Sequence, residues 1–146
     1  MRIGLLVPQL LYVASVVIVH VHLFRSPNLL AKKSEDKVDF LIYSALQVLV
    51  AGILLFSYWS FLVQDWPSFT ADSRIAQADK LSILQNTLFG ICLSLTIPIG
   101  TDLLMLGASI FRNSKSKFLH LIPLFINVMV LAIGSNVIQE LSGLRN

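Results

Sequence analysis

The sequence predicts an all-α integral membrane protein: four antiparallel transmembrane helices in an up-and-down bundle, the third long and kinked near Pro98. Three observations lead there. Hydrophobic residues make up 55% of the 146-residue chain and charged residues only 13%, against roughly a quarter charged in an ordinary soluble domain. Mean hydropathy is +0.77. Four apolar runs, at 3–24, 40–63, 81–111 and 118–139, each reach the ~20 residues that carry a helix across a ~30 Å hydrocarbon layer. Nothing outside them is long enough to build a core of its own, so the expectation is one four-helix domain.

The first run starts after Arg2, is too long for the apolar part of a signal peptide, and is followed by RSPNLLAKK rather than a small-residue cleavage site. It therefore reads as a retained helix. The second run ends in Tyr58 and Trp59, which with Trp66 form an aromatic belt at one membrane face. Before the third run, Thr70 has the chemistry of a helix cap and Asp72 would sit in the first turn. No proline or glycine follows between Ala71 and Phe89, so this helix is expected to project beyond the membrane. Within it, Pro98 cannot donate to the carbonyl of Ser94 and lies beside Gly100, which predicts the kink. The fourth run, from Phe118, carries His120 and, near the bilayer middle, Asn127.

The charges orient the bundle. Arg25, Lys32, Lys33, Lys37, Arg112, Lys115 and Lys117 put seven basic residues in the first and third loops, against four, Arg2, Arg74, Lys80 and Arg145, on the other side. The positive-inside rule then makes those two loops cytoplasmic and leaves both termini outside, in a membrane of the bacterial inner type. Lys32, Lys33, Arg112, Lys115 and Lys117 are the candidates for docking a cytosolic protein partner.

Polar side chains inside the spans are the candidate site. At 1.5 Å per residue, Asp102 lies roughly 15 Å from Arg112, near the bilayer middle. Ser15, Gln47 and Asn127 fall at the same depth by the same ruler, so each helix offers one polar side chain to a common layer. Seven residues nearer the basic loops, His22, Ser109 and His120 form a second layer, because a seven-residue step returns to the same helix face within about 20°. An amide or hydroxyl beside Asp102 keeps its carboxyl out of lipid. The layer reads as interhelical hydrogen bonding or as a proton or cation site on the third helix. Facing His22 and His120 would also offer two axial ligands to haem b. No other cofactor and no metal site is expected.

Several classes are excluded by residue supply. A paired-aspartate intramembrane protease needs two membrane aspartates, and the spans hold only Asp102; a zinc protease needs an HExxH-type motif, which is absent. The single cysteine, Cys92, forbids disulfide shuttling within one chain. No phosphate loop or basic aromatic surface for nucleic acid is present. The expectation is a non-enzymatic membrane subunit, surrounded by lipid and self-associating as a homo-oligomer, that anchors or signals to a cytosolic protein, with a two-component stress or defence system as one setting. The alternative is an oligomeric channel or proton-coupled carrier that uses Asp102.

Overall fold

The computed structural model describes residues 3–26, 34–115 and 117–143. Among them there are helices and turns and no strand. Helix α1 spans Ile3–Arg25 and α2 spans Ser34–Ser60; a π turn at Phe61–Asp65 leads into the short α3, Trp66–Ala71. Helix α4 runs Gln77–Phe111, and a 3₁₀ turn at Lys117–His120 opens α5, Leu121–Gly143. Four helical segments are long and apolar enough to cross a membrane. Helix α1 packs on α2 and α4, and α5 packs on the same two, so the four long helices close a ring around one interior.

The bundle is apolar outside as well as within, which is what separates it from a soluble one. Leu41, Phe56, Leu104 and Phe125 all lie exposed on its outer faces. A water-soluble domain does not display continuous apolar faces of this kind, whereas lipid solvates them. Backbone polar groups are satisfied within each helix, as hydrocarbon demands. Leu54, Ile91, Leu95 and Val130 fill the interior. At Gly134 the helices approach closely: a Cβ there would come within 2.7 Å of the Leu95 side chain, while Gly52, Gly100 and Gly107 face open space.

Local chemistry sets the helix ends. The third long helix does not start at Thr70. Its N-cap position is Ala76, in extended backbone, because Asp72 and Arg74 lock a turn first. The Asp72 carboxylate accepts from the Arg74 amide at 3.0 Å and from its guanidinium at 3.0 and 2.9 Å. Those bonds hold the Asp72 carboxyl below the usual carboxylate range. From Gln77 the helix continues for 35 residues through Pro98, roughly 50 Å of length, more than a ~30 Å hydrocarbon layer requires.

At its other end α4 stops on Asn113, whose φ of 49° lies in the left-handed region. The Asn113 amide donates to Ile110 at 2.9 Å and the Ser114 amide to Ser109 at 3.0 Å, the paired bonds of a Schellman cap. This ending holds Ser109 in the last turns of α4, where its hydroxyl meets α5.

The aromatic belt differs from expectation. Tyr58 and Trp66 are buried, and only Trp59 faces outward. Tyr58 turns inward because its hydroxyl has polar partners there, an amide proton from Gln9 at 3.1 Å and the Ser94 hydroxyl.

Candidate functional site

A connected set of buried polar side chains joins all four long helices. Asp102, fully buried on α4, bonds through Oδ1 to Nε2 of His20 on α1. Its Oδ2 accepts from the Asn127 amide on α5 at 2.6 Å. The Asn127 carbonyl oxygen accepts from Gln47 on α2 at 2.9 Å and from the Tyr12 hydroxyl on α1. On the other side of Asp102, Nδ1 of His20 faces Nδ1 of His120 at 3.1 Å, and Nε2 of His120 faces the Ser109 hydroxyl at 2.7 Å. The two imidazoles lie nearly parallel, 9° apart.

Of the layer expected near the bilayer middle, Gln47, Asp102 and Asn127 are hydrogen-bonded in series. Ser15 is buried but turns its hydroxyl back to the Tyr12 carbonyl at 2.7 Å. Tyr12, one turn away, supplies the hydroxyl instead. In the second layer Ser109 and His120 meet, but His22 does not join them. His20 takes that place, and His22 packs edge-on against Tyr43 of α2, with ring centroids 5.1 Å apart. Residues two apart point about 200° apart around a helix, so the edge of α1 facing α4 and α5 can hold only one of them.

That exchange also removes the geometry for haem b. His22 and His120 do not face each other, and the nitrogens that do are already 3.1 Å apart. A metal between two opposed imidazoles needs about 4 Å, twice a ~2 Å metal–nitrogen bond. Among the described residues no cluster of three or more metal-binding side chains occurs.

Gln9, Tyr58 and Ser94 form a second polar group, absent from the sequence expectation. Val50 and Leu54 on α2 and Leu95 on α4 lie in the helix stretches between the two groups, whereas on α1 Gln9 and Tyr12 stand one turn apart; among the described residues no hydrogen bond connects the groups. Sequence signals for Gln9 and Tyr12 exist in retrospect: both lie on the buried stripe of α1 that continues through Val16 and His20 in steps of three and four residues.

The docking candidates are scattered. Lys32 and Lys33 lie outside the described residues. Lys115 is exposed. Arg112 stands 4.2 Å over the ring of Phe24, and the Lys117 ammonium 5.6 Å from the ring of Phe118. Beside Arg112, a crevice lined by Leu23, Phe24, Ser109 and Ser114 leaves about 10 Å³, the room of a single water. Ser109, the buried end of the polar chain, lines this crevice together with Arg112.

Four apolar helices closed around a connected polar interior define a helical membrane protein. No protein-family model matches the chain, and comparisons with curated proteins and with solved structures likewise find no match.

Proposed function

We propose that this chain is a non-enzymatic membrane subunit that responds to proton availability on its Ser109 face, with Asp102 as the acceptor. The observation that carries this reading is the unbroken order Ser109, His120, His20, Asp102. Its polarity follows from proton bookkeeping, because imidazole tautomers are inferred from partners. With Asp102 ionised, His20 Nε2–H donates to the carboxylate, so His20 Nδ1 accepts. His120 Nδ1–H must then donate to it, and His120 Nε2 accepts the Ser109 hydroxyl.

A hydronium in the crevice reverses this order. It gives a proton to the Ser109 oxygen, whose own proton passes to His120 Nε2. His120 releases its Nδ1 proton to His20, and His20 releases its Nε2 proton to Asp102. Water leaves, the carboxyl becomes neutral, and every bond is remade with donor and acceptor exchanged. Each side chain moves a proton without leaving its place.

The far side is closed differently. Beyond Asp102 stand the amides of Asn127 and Gln47, which hydrogen-bond but do not relay protons as imidazoles do; the Tyr12 hydroxyl lies past them, on the Asn127 carbonyl. A chain open at one end and capped at the other supports sensing over a through-channel. The pairings Tyr12 with Asn127 and His20 with His120 progress in opposite chain directions, which supports antiparallel α1 and α5; the seven-to-four charge bias supports a cytoplasmic Ser109 face and external termini. Self-association and docking of a cytosolic protein through Lys32, Lys33, Arg112, Lys115 and Lys117 complete the reading.

The test is an acid jump on the protein in sealed vesicles, followed by a pH-sensitive dye and by the carbonyl stretch of a protonated carboxyl. The expected result is uptake of a single proton per chain without sustained flux, abolished in Asp102→Asn. Sustained flux would replace sensing with the carrier reading. No uptake in the unaltered protein would leave the polar chain as interhelical bonding only.

A further inference from the structure

Away from the buried chain, the ends of α2 and α5 leave a groove between them of about 450 Å³. Phe56, Trp59 and Leu62 form one wall, and Ile133, Asn136 and Glu140 the other. Leu62 belongs to the π turn Phe61–Asp65. Such turns insert an extra residue into a helix and recur at functional sites; here the turn alters the α2 wall where the groove lies. Phe56, Trp59 and Ile133 are exposed, so the groove faces the surrounding lipid.

Its polar groups are few and specific. Asn136 and Glu140 stand one turn apart on α5 and project along the same wall. Glu140 is the first charged residue after the apolar run 118–139, so it is expected where headgroups begin, at the level where an outward Trp59 is expected to lie. Among the described residues Glu140 has no ion-pair or hydrogen-bond partner.

We infer that this groove binds a phospholipid with an ethanolamine headgroup: one acyl chain along the apolar walls, the ammonium on the Glu140 carboxylate. The walls argue for a lipid occupant: Phe56, Trp59 and Ile133 are exposed to hydrocarbon, and among the described residues the one charged side chain lining the groove is Glu140. Charge selects the headgroup. A phosphoglycerol head carries net negative charge toward Glu140, while a primary ammonium brings three donors to a carboxylate that has none. The Asn136 amide is then positioned for the phosphate or ester oxygens above the chain. The inference does not depend on proton uptake at Asp102.

The experiment uses the full chain in nanodiscs with acyl chains brominated on either phosphatidylethanolamine or phosphatidylglycerol, reading quenching of Trp59 in a Trp66→Phe background. Retention of each lipid by the unaltered protein in native mass spectrometry provides a readout that needs no substitution. The expected result is about fivefold preference for the ethanolamine lipid, the scale of one partly solvated charge pair, falling to parity in Glu140→Gln. That substitution lies at an exposed position and leaves the core intact. Equal retention of both lipids, a preference that survives Glu140→Gln, or a cross-linked second copy covering Trp59 would each overturn it.

Discussion

His20 and His120 can each be replaced by a side chain that keeps a hydrogen bond and loses proton transfer, which separates a relay from static packing. Glutamine at position 20 still offers an amide proton to Asp102, and glutamine at position 120 still reaches Ser109. Neither takes a proton on one atom while releasing it from another. His20→Gln and His120→Gln are therefore expected to stay folded in detergent while the acid-jump uptake rate falls about 100-fold, the lower end of what a positioned acid–base group contributes. Unchanged rates would show that the proton reaches Asp102 by another route. His20→Ala should behave differently: removing one partner of a buried charge-assisted pair costs about 3–5 kcal/mol, to be read as a loss of stability in denaturant titration. The sequence marked Asp102, Gln47, Asn127, Ser109 and His120 as interior because each interrupts an apolar run at matching depth. It could not choose His20 over His22. Both interrupt the same run, and a seven-residue step from Ser15 selects His22, whereas the choice depends on which edge of α1 meets α4 and α5.

Helix ends place these side chains, and their sequence signals are uneven. Hydropathy marks the four spans because a continuous apolar run satisfies all its backbone bonds within the one segment only as a helix. The break at residues 72–76 was hidden, since side-chain bonds from Asp72 to Arg74 replace the proline or glycine that usually marks one. The π turn left no periodic trace either, because five residues, Phe61–Asp65, are too few to shift a hydrophobic period that a window of 11–18 residues reads. Asn113 offers a test of how the α4 terminus supports the chain. Left-handed backbone costs a Cβ-bearing residue about 1–2 kcal/mol, least for asparagine and nothing for glycine. Asn113→Gly should preserve stability and proton uptake, whereas Asn113→Val should lose about that much stability and slow uptake by loosening Ser109. If both variants match the unaltered protein, the cap does not position Ser109. A second test lies where α4 meets α5. Gly134→Ala forces the buried Leu95 side chain aside, for which overpacking costs about 1–3 kcal/mol. Adding Leu95→Val should restore most of that loss in thermal unfolding; strictly additive losses would place the strain elsewhere.

For the molecule as a whole, orientation decides what membrane potential does to the proton. Asp102 lies roughly 15 Å along α4 from Arg112, about half of a ~30 Å hydrocarbon layer. A proton entering at Ser109 thus crosses on the order of half the field, about 1 kcal/mol per 100 mV. With the Ser109 face cytoplasmic, an inside-negative potential opposes loading of Asp102 roughly fivefold per 100 mV, and depolarisation releases that opposition. With the opposite orientation the same potential favours loading. Two cysteines in a Cys92→Ser background separate these cases: Ser73→Cys in the exposed turn before α4, and Lys115→Cys in the exposed segment after it. An impermeant maleimide should label position 73 in intact cells and position 115 only after lysis. Proton uptake in vesicles of matching orientation, clamped with a potassium gradient and valinomycin, should then fall as the Ser109 side is made negative. Reversed labelling together with a reversed voltage effect would keep the relay and invert the membrane. Labelling as expected with no voltage effect would mean that the field does not fall between Ser109 and Asp102, placing water, and not only imidazoles, along that path.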